Sequence, residues 1–144
     1  MKTKIFLTGL ISILFCGSCL ALPEVEFVYF NLSTNEIWIE RVIGLPAEAS
    51  PGRMAPAKGE DRPSEKSMTF FETVRVADKL KIVWKDNGRQ GWPGGGKAGE
   101  LSRPGVVHEA EFKRDDFKIP AKMKSGKVRF TFLGNDKWRI TYLK

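Results

Sequence analysis

Apolar and polar side chains alternate with a period of two along most of this chain. The alternation is clearest in residues 80–85, where Leu80, Ile82 and Trp84 share one face and lysines occupy the other. This is the pattern of a β-strand with one buried face. No amphipathic helical pattern longer than about two turns occurs. The other segments that predict strands are 24–31, 37–43, 68–71, 106–113, 127–132 and 137–142.

The two C-terminal segments predict a β-hairpin around the turn at 134–136. A three-residue loop puts all the apolar residues of the hairpin on one face, whereas a two-residue loop puts apolar opposite charged residues. Burial sets the register of a strand pair, so the first arrangement is favoured. The predicted cross-strand pairs are Phe132–Trp138, Phe130–Ile140 and Val128–Tyr142.

We therefore predict a single all-β domain, an antiparallel β-sandwich of six to eight strands, with a small β-barrel as the alternative. Segments 24–31 and 37–43 are expected to form a hairpin. Segment 24–31 has apolar residues on both faces, which predicts a position between two layers. Residues 45–66 and 86–105 are rich in proline and glycine and predict long loops. The predicted core consists of Phe27, Tyr29, Ile37, Ile39, Leu80, Ile82, Trp84, Phe112, Val128, Phe130, Phe132, Trp138, Ile140 and Tyr142.

Residues 1–21 have the layout of a secretory signal peptide. Two lysines precede an apolar run from 5 to 15, and small residues lead to Ala21. The run is shorter than the roughly 20 residues that a membrane span needs. We expect export to the periplasm or the exterior, cleavage after Ala21, and a mature domain of residues 22–144 without a membrane span.

Both cysteines, Cys16 and Cys19, lie in this leader, so the mature domain would have no disulfide. The alternative is a lipoprotein, because Gly17-Ser18 supplies the small residues that precede a lipidated cysteine. Cys19 would then anchor the domain to a membrane through an acyl chain. Removing residues 1–21 takes away two lysines and no acid, so the net charge falls from +7 to +5.

His108 is the only histidine, and Glu109 and Glu111 follow it closely. A small secreted hydrolase that uses His108 with one of these carboxylates is an alternative hypothesis. However, a serine hydrolase also needs a nucleophile on a rigid turn, and no Gly-x-Ser-x-Gly segment occurs. One histidine without a cysteine forms no typical zinc site. We favour a half-buried packing role for His108 and predict no catalytic residue, no metal and no cofactor.

The segment from Gly91 to Ala98 resembles a P-loop, but Ala98 replaces the hydroxyl residue that would ligate Mg²⁺. A glycine-rich loop between strands is the favoured interpretation. Trp92 has no periodicity that would bury it, so Trp92 and Lys97 are candidate binding residues on this loop. The equal alternative for Trp92 is a packing role, in which it folds back over one end of the sandwich. The tryptophans on strands are expected to be better protected from solvent.

Basic residues occupy the outward positions of several predicted strands, and Lys81, Arg129 and Arg139 are the candidate binding residues among them. If their strands are neighbours, they form one basic surface for anionic lipid, acidic glycan or an acidic protein. Protection of the sheets from aggregation is the alternative role. Nucleic acid is not expected, because no exposed aromatic residues lie between these charges. The full set is Lys79, Lys81, Lys85, Lys127, Arg129, Lys137 and Arg139.

Segments 26–33, 37–44 and 77–84 are similar to small bacterial secreted β proteins, the domain-of-unknown-function lipoproteins encoded beside type VI secretion lipase effectors. The similar features are a "Tyr-x-Asn" strand and a "Leu-x-Val-x-Trp"-like strand. A cysteine pair expected before the second strand is replaced here by residues 69–72. The resemblance implies a non-catalytic accessory or immunity protein of the envelope.

The sequence thus favours an exported, non-catalytic binding or accessory protein of the bacterial cell envelope. Its expected partner is another protein or an anionic component of the envelope.

Overall fold

The computed structural model describes residues 21–90 and 105–144, with side chains described for 21–86 and 105–144. Strands dominate this part of the chain, and the only helices are two short 3-10 turns, Ala47–Ala49 and Arg114–Phe117. The strands are β1 (Glu24–Asn31), β2 (Asn35–Ile43), β3 (Gly52–Met54), β4 (Ser64–Phe70), β5 (Val74–Arg75), β6 (Lys79–Gln90), β7 (Val107–Lys113), β8 (Lys122–Met123), β9 (Ser125–Gly134) and β10 (Lys137–Leu143).

Two four-stranded sheets form a sandwich around one apolar core. The first sheet has the strand order β10-β9-β1-β4, and the second has the order β3-β2-β6-β7. β5 and β8 form a separate two-stranded pair. Both four-stranded sheets have open edges, so the predicted all-β sandwich is confirmed and the barrel alternative is wrong.

The hairpin predicted for segments 24–31 and 37–43 is wrong, because β1 and β2 belong to different sheets. β1 pairs with β4 on one side and with β9 on the other, and the β1–β9 pairing is parallel. The first sheet is therefore mixed. The expectation that both faces of β1 are covered is met only in part. Val28 on its outward face is buried, but Phe30 is only half-buried.

A buried polar turn carries the chain from the first sheet to the second. The amide Nδ2 of Asn31 donates to the carbonyl oxygens of Asn35 at 2.8 Å and Ala55 at 2.9 Å. Its Oδ1 accepts a hydrogen bond from the backbone N–H of Ser33 at 2.9 Å. These bonds satisfy backbone groups that the turn buries, so the chain can cross between sheets through the interior.

The C-terminal hairpin has the predicted register but a different turn. Asn135 and Asp136 form a two-residue turn with φ values of 52° and 58°, the left-handed backbone of a tight hairpin turn. Leu133 has no residue opposite it, since the pairing steps from Gly134 to Phe132. This bulge adds the extra residue that keeps the apolar side chains on one face. The confirmed pairs are Trp138–Phe132, Ile140–Phe130 and Tyr142–Val128.

The predicted loop 45–66 is wrong in part, because it contains a 3-10 turn and β3, and β4 begins at Ser64. Met54 is buried at the end of β3, which ties this segment to the core. The predicted loop 86–105 begins later than expected, because β6 continues to Gln90. Residues 91–104 lie outside the described residues.

The predicted core is confirmed in its main part. Phe112, Trp138 and Tyr142 are only partly buried and pack against it. Trp84 joins the two sheets, since its ring lies 5.8 Å from Phe132 and 5.4 Å from Trp138 of the first sheet. The predicted residues that are buried are Phe27, Tyr29, Ile37, Ile39, Leu80, Ile82, Trp84, Val128, Phe130, Phe132 and Ile140.

Candidate binding groove

The basic residues of the predicted strands do not form one surface. Those of β6 lie on the outer face of the second sheet, whereas those of β9 and β10 belong to the first sheet. The condition for a single basic surface, that these strands are neighbours, is therefore not met, because the strands belong to opposite sheets of the sandwich. Lys81 is separated in this way from Arg129 and Arg139.

The lysines of β6 are neutralised by carboxylates on neighbouring strands. Glu109 and Glu111 face outward on β7, as expected for residues that meet lysines of the adjacent strand. Pairs of this kind that reach solvent contribute little to stability, but they offset the charges of these three lysines. The three pairs are Lys79–Glu111 at 3.4 Å, Lys81–Glu109 at 3.3 Å and Lys85–Glu40 at 3.3 Å.

A groove lies on the outer face of the first sheet, where β1, β9 and β10 run side by side. Its volume is about 250 Å³. Alternation places it there: Val128, Phe130 and Phe132 point into the core, so the residues that alternate with them, Arg129 and Thr131, point outward. The hairpin register then sets Arg139 opposite Thr131. The lining residues are Phe30, Leu32, Asp61, Pro63, Arg129, Thr131 and Arg139.

The two arginines of this groove have no acidic partner in the part of the chain whose side chains are described. Neither guanidinium lies within 4.0 Å of a carboxylate of residues 21–86 or 105–144. Lys127, two residues before Arg129 on the same face, is by contrast paired with Glu26 at 2.7 Å. On β9, therefore, the described cation without a carboxylate partner is the one at the groove, Arg129.

The position of Arg129 is set by the ring of Phe30. Its guanidinium carbon lies 5.2 Å from the ring centre, within cation–π distance. Its Nε is buried and has no hydrogen-bond acceptor among the described residues. A buried donor without an acceptor is rare in proteins. The side chain is therefore held in place while part of its hydrogen-bonding capacity stays unused.

His108 does not form the predicted alternative pair with Glu109 or Glu111, since neighbouring residues of a strand point to opposite faces. Its ring stacks on Trp84 with 5.5 Å between centres and 18° between planes. Its Nδ1 lies 3.0 Å from Asp136 Oδ1. The half-buried packing role favoured for His108 is confirmed.

The tryptophans on strands differ in exposure, and the expectation that they are better protected than Trp92 stays a prediction. Trp84 is buried, but Trp38 on β2 is 41% exposed and lies 5.9 Å beneath the Lys85 ammonium. Trp38 is therefore not protected from solvent by its strand. Trp92 and Lys97, as well as Cys19 and the rest of the predicted leader up to residue 20, lie outside the described residues, so their predicted roles stay predictions.

The residues that complete the groove were not predicted from the sequence. Phe30 carried a signal, because it is a large apolar residue at an outward strand position. Leu32, Asp61 and Pro63 carried none, since they reach the groove from a turn and a connection far apart in the sequence. Within the described ranges 21–86 and 105–144, no group of three His, Cys, Asp and Glu side chains is placed to hold a metal ion.

Among the described residues, no helix has the length and apolar character that crossing a membrane requires. The search of family models and the search of curated proteins both found no match to this chain, so the resemblance to envelope β proteins stays a prediction.

Proposed function

We propose that this chain is an exported, non-catalytic binding or accessory protein of the bacterial cell envelope, and that it engages a protein partner through the groove on its first sheet. The observation that supports this most directly is a pair of arginines that, among the described residues, have no carboxylate within 4.0 Å and lie beside half-buried apolar side chains. Cations without ion-pair partners and apolar side chains that stay in contact with solvent are typical of binding surfaces on a rigid β scaffold.

Export is supported by the arrangement of residues 1–21, in which a basic start, a short apolar run and small residues follow one another. Protein purified from the periplasmic and membrane fractions should begin at Leu22, or at an acylated Cys19 in the lipoprotein case. A chain that stays in the cytoplasm with residues 1–21 intact would overturn this part of the proposal.

A binding role rather than catalysis is supported by the surroundings of His108. Its imidazole is covered on one side by the Trp84 ring, and the neighbouring carboxylates Glu109 and Glu111 are engaged with lysines. The groove and His108 also involve different residues, so the groove does not present the imidazole to a ligand.

Site-specific photo-cross-linking in the producing cell tests the partner surface. A photoreactive amino acid at exposed Arg62, next to the groove, should give a discrete adduct of higher mass. The same group at Glu111, on the outer face of the second sheet, is the matched control and should give none. Arg129→Gln combined with Arg139→Gln should abolish the adduct, while Lys79→Gln combined with Lys81→Gln should leave it. An adduct that forms equally from both faces, or that survives the arginine substitutions, would contradict the proposal.

A further inference from the structure

We propose that the groove binds the carboxy terminus of a partner polypeptide whose last side chain is apolar. This inference rests on the proposed function, because it names the part of the partner that the groove recognises. Three features carry it: two guanidiniums with no carboxylate of the described residues within 4.0 Å, apolar lining residues beside them, and one exposed acidic lining residue, Asp61.

The guanidiniums match a terminal carboxylate in geometry and charge. Arginine presents parallel N–H donors whose spacing fits the two oxygens of a carboxylate. Arg129 is positioned by its contact with Phe30, and its buried Nε is a donor without an acceptor. Ordering this side chain therefore costs the complex less than ordering a free surface arginine. Arg139, exposed on the adjacent strand, supplies the second cation.

The apolar wall supplies the contact for the last side chain. Phe30, Leu32 and Pro63 line the same groove and are each half-buried. Apolar surface next to a cation favours a ligand that joins an anion to an apolar group. A terminal leucine, valine or phenylalanine has this composition, since its carboxylate and its side chain are attached to the same Cα atom.

Asp61 distinguishes this ligand from other anions. Two arginines and one aspartate give the groove a formal charge of +1, which a single carboxylate neutralises. A phosphate dianion would exceed this charge, and Asp61 would repel it more strongly than it repels a single carboxylate. The same carboxylate can instead accept a hydrogen bond from the last peptide N–H of a bound chain.

The size of the groove also favours a chain terminus. Its volume of about 250 Å³ lies below the roughly 300–1,000 Å³ that is usual for sites of whole small-molecule ligands. It accommodates one terminal residue, and the open face leaves room for the preceding chain to continue over the surface.

Titration with short peptides tests this inference. The full-length protein, expressed with its leader and purified from the cell envelope, is titrated with acetyl-Gly-Gly-Leu and with the carboxy-terminal amide of the same peptide. Calorimetry or NMR measures the affinity. We expect the free acid to bind at least about tenfold more tightly than the amide, because charge-assisted hydrogen bonds are lost. Replacing the terminal leucine by glycine should also weaken binding.

Substitutions assign the contact to the groove. Arg129→Gln and Arg139→Gln should each weaken binding of the free acid by about tenfold. Lys81→Gln, which removes a positive charge from the opposite face, should leave the affinity unchanged. Arg139 is exposed, so Arg139→Gln keeps the inference testable even if Arg129→Gln alters folding. Thermal unfolding of each variant checks that the fold is intact.

Three results would overturn the inference. Equal binding of acid and amide would remove the carboxylate from recognition. Competition by inorganic phosphate at equal concentration would indicate a general anion site. Tighter binding of free leucine than of the acetylated peptide would indicate an amino-acid site in which Asp61 binds the ammonium group. If these results appear while the cross-link at Arg62 persists, the proposed function stands and the carboxy-terminal ligand is wrong. If the peptide binds but the parent protein gives no cross-link from position 62 in the cell, the proposed cellular role is wrong.

Discussion

The outer faces of the two sheets carry similar basic residues but differ in what surrounds them. On the second sheet, the lysines of β6 meet carboxylates of β2 and β7. On the first sheet, Lys127 has a carboxylate partner, but Arg129 and Arg139 have none within 4.0 Å among the described residues. A count of positive charges therefore does not identify a binding surface. The cross-strand neighbours decide whether a charge is available to a partner.

The two faces also differ in how apolar side chains are exposed. Trp38 on the second sheet lies between cations of neighbouring strands, and the Lys85 ammonium covers its ring. Phe30 on the first sheet supports a guanidinium whose Nε has no acceptor among the described residues. Both sheets thus have a cation–π contact on the outer face. In the second sheet the cation is Lys85, which is paired with a carboxylate, and in the first it is Arg129, which has none within 4.0 Å among the described residues.

The largest expected effect comes from removing the Trp84 ring, which joins the two sheets in the core. Trp84→Ala deletes the ring that joins the sheets through Phe132 and Trp138, and should lower the free energy of unfolding by about 3–5 kcal/mol. Trp38→Ala is the matched control and should cost about 1 kcal/mol, because that ring is 41% exposed. Urea unfolding measures both. Equal losses would mean that Trp84 does not connect the two sheets.

The next effect concerns the turn by which the chain passes from one sheet to the other. Asn31→Ala removes the hydrogen bonds to Asn35, Ala55 and Ser33 and leaves buried backbone groups without partners. We expect a loss of about 2–4 kcal/mol in unfolding free energy. Thr34→Ala in the same turn should change it by less than about 0.5 kcal/mol. An Asn31→Ala variant as stable as the parent would show that water replaces these bonds.

A smaller effect on stability is expected from the ion pair between Glu26 and Lys127, which lies on the first sheet outside the groove. Hydrogen bonds from the Lys127 ammonium and the Ser67 hydroxyl hold the pKa of Glu26 below its ordinary value of 4.5, although burial acts in the opposite direction. A lowered folded-state pKa means that the stabilisation is fully present above the unfolded-state value. It is lost as the pH falls through the lower folded-state value.

Glu26→Gln should therefore destabilise the protein at pH 7 by less than about 1 kcal/mol, since solvent screens a partly exposed pair. At a pH below the lowered pKa of Glu26, the variant and the parent should be equally stable. Urea unfolding at a series of pH values measures this. A difference that persists at low pH would trace the effect to packing rather than to charge.

The smallest effect is expected on the second sheet. A double-mutant cycle with Lys81→Gln and Glu109→Gln should give a coupling energy of about 0–0.5 kcal/mol, because both side chains are exposed. The equivalent cycle for Lys127 and Glu26 should give more, since that pair is closer and less exposed. A reversed order would break the contrast between the two faces.

Local patterns in the sequence were sufficient for the strands and for much of the core. The alternation of Leu80, Ile82 and Trp84 located a core strand, because a period of two has only one arrangement that buries the apolar residues. The register of the C-terminal hairpin followed from the same constraint. Its turn did not, because a bulge at Leu133 and a two-residue turn give the same register as a three-residue loop.

The assignment of strands to sheets, and with it the groove, depended on the folded chain. Adjacent segments such as 24–31 and 37–43 usually form hairpins. Here the hydrogen bonds of the buried Asn31 side chain stabilise a turn that leads into the other sheet. The parallel pairing of β1 with β9 joins residues about a hundred positions apart, and no local pattern encodes such a contact. This pairing brings Phe30 to Arg129, while Asp61 and Pro63 reach the groove from a separate connection.

Alternation determined that Arg129 points outward, because it depends on neighbouring residues alone. Whether that arginine meets a carboxylate depends on which distant strands lie beside it, and only the three-dimensional arrangement of the sheets specifies that.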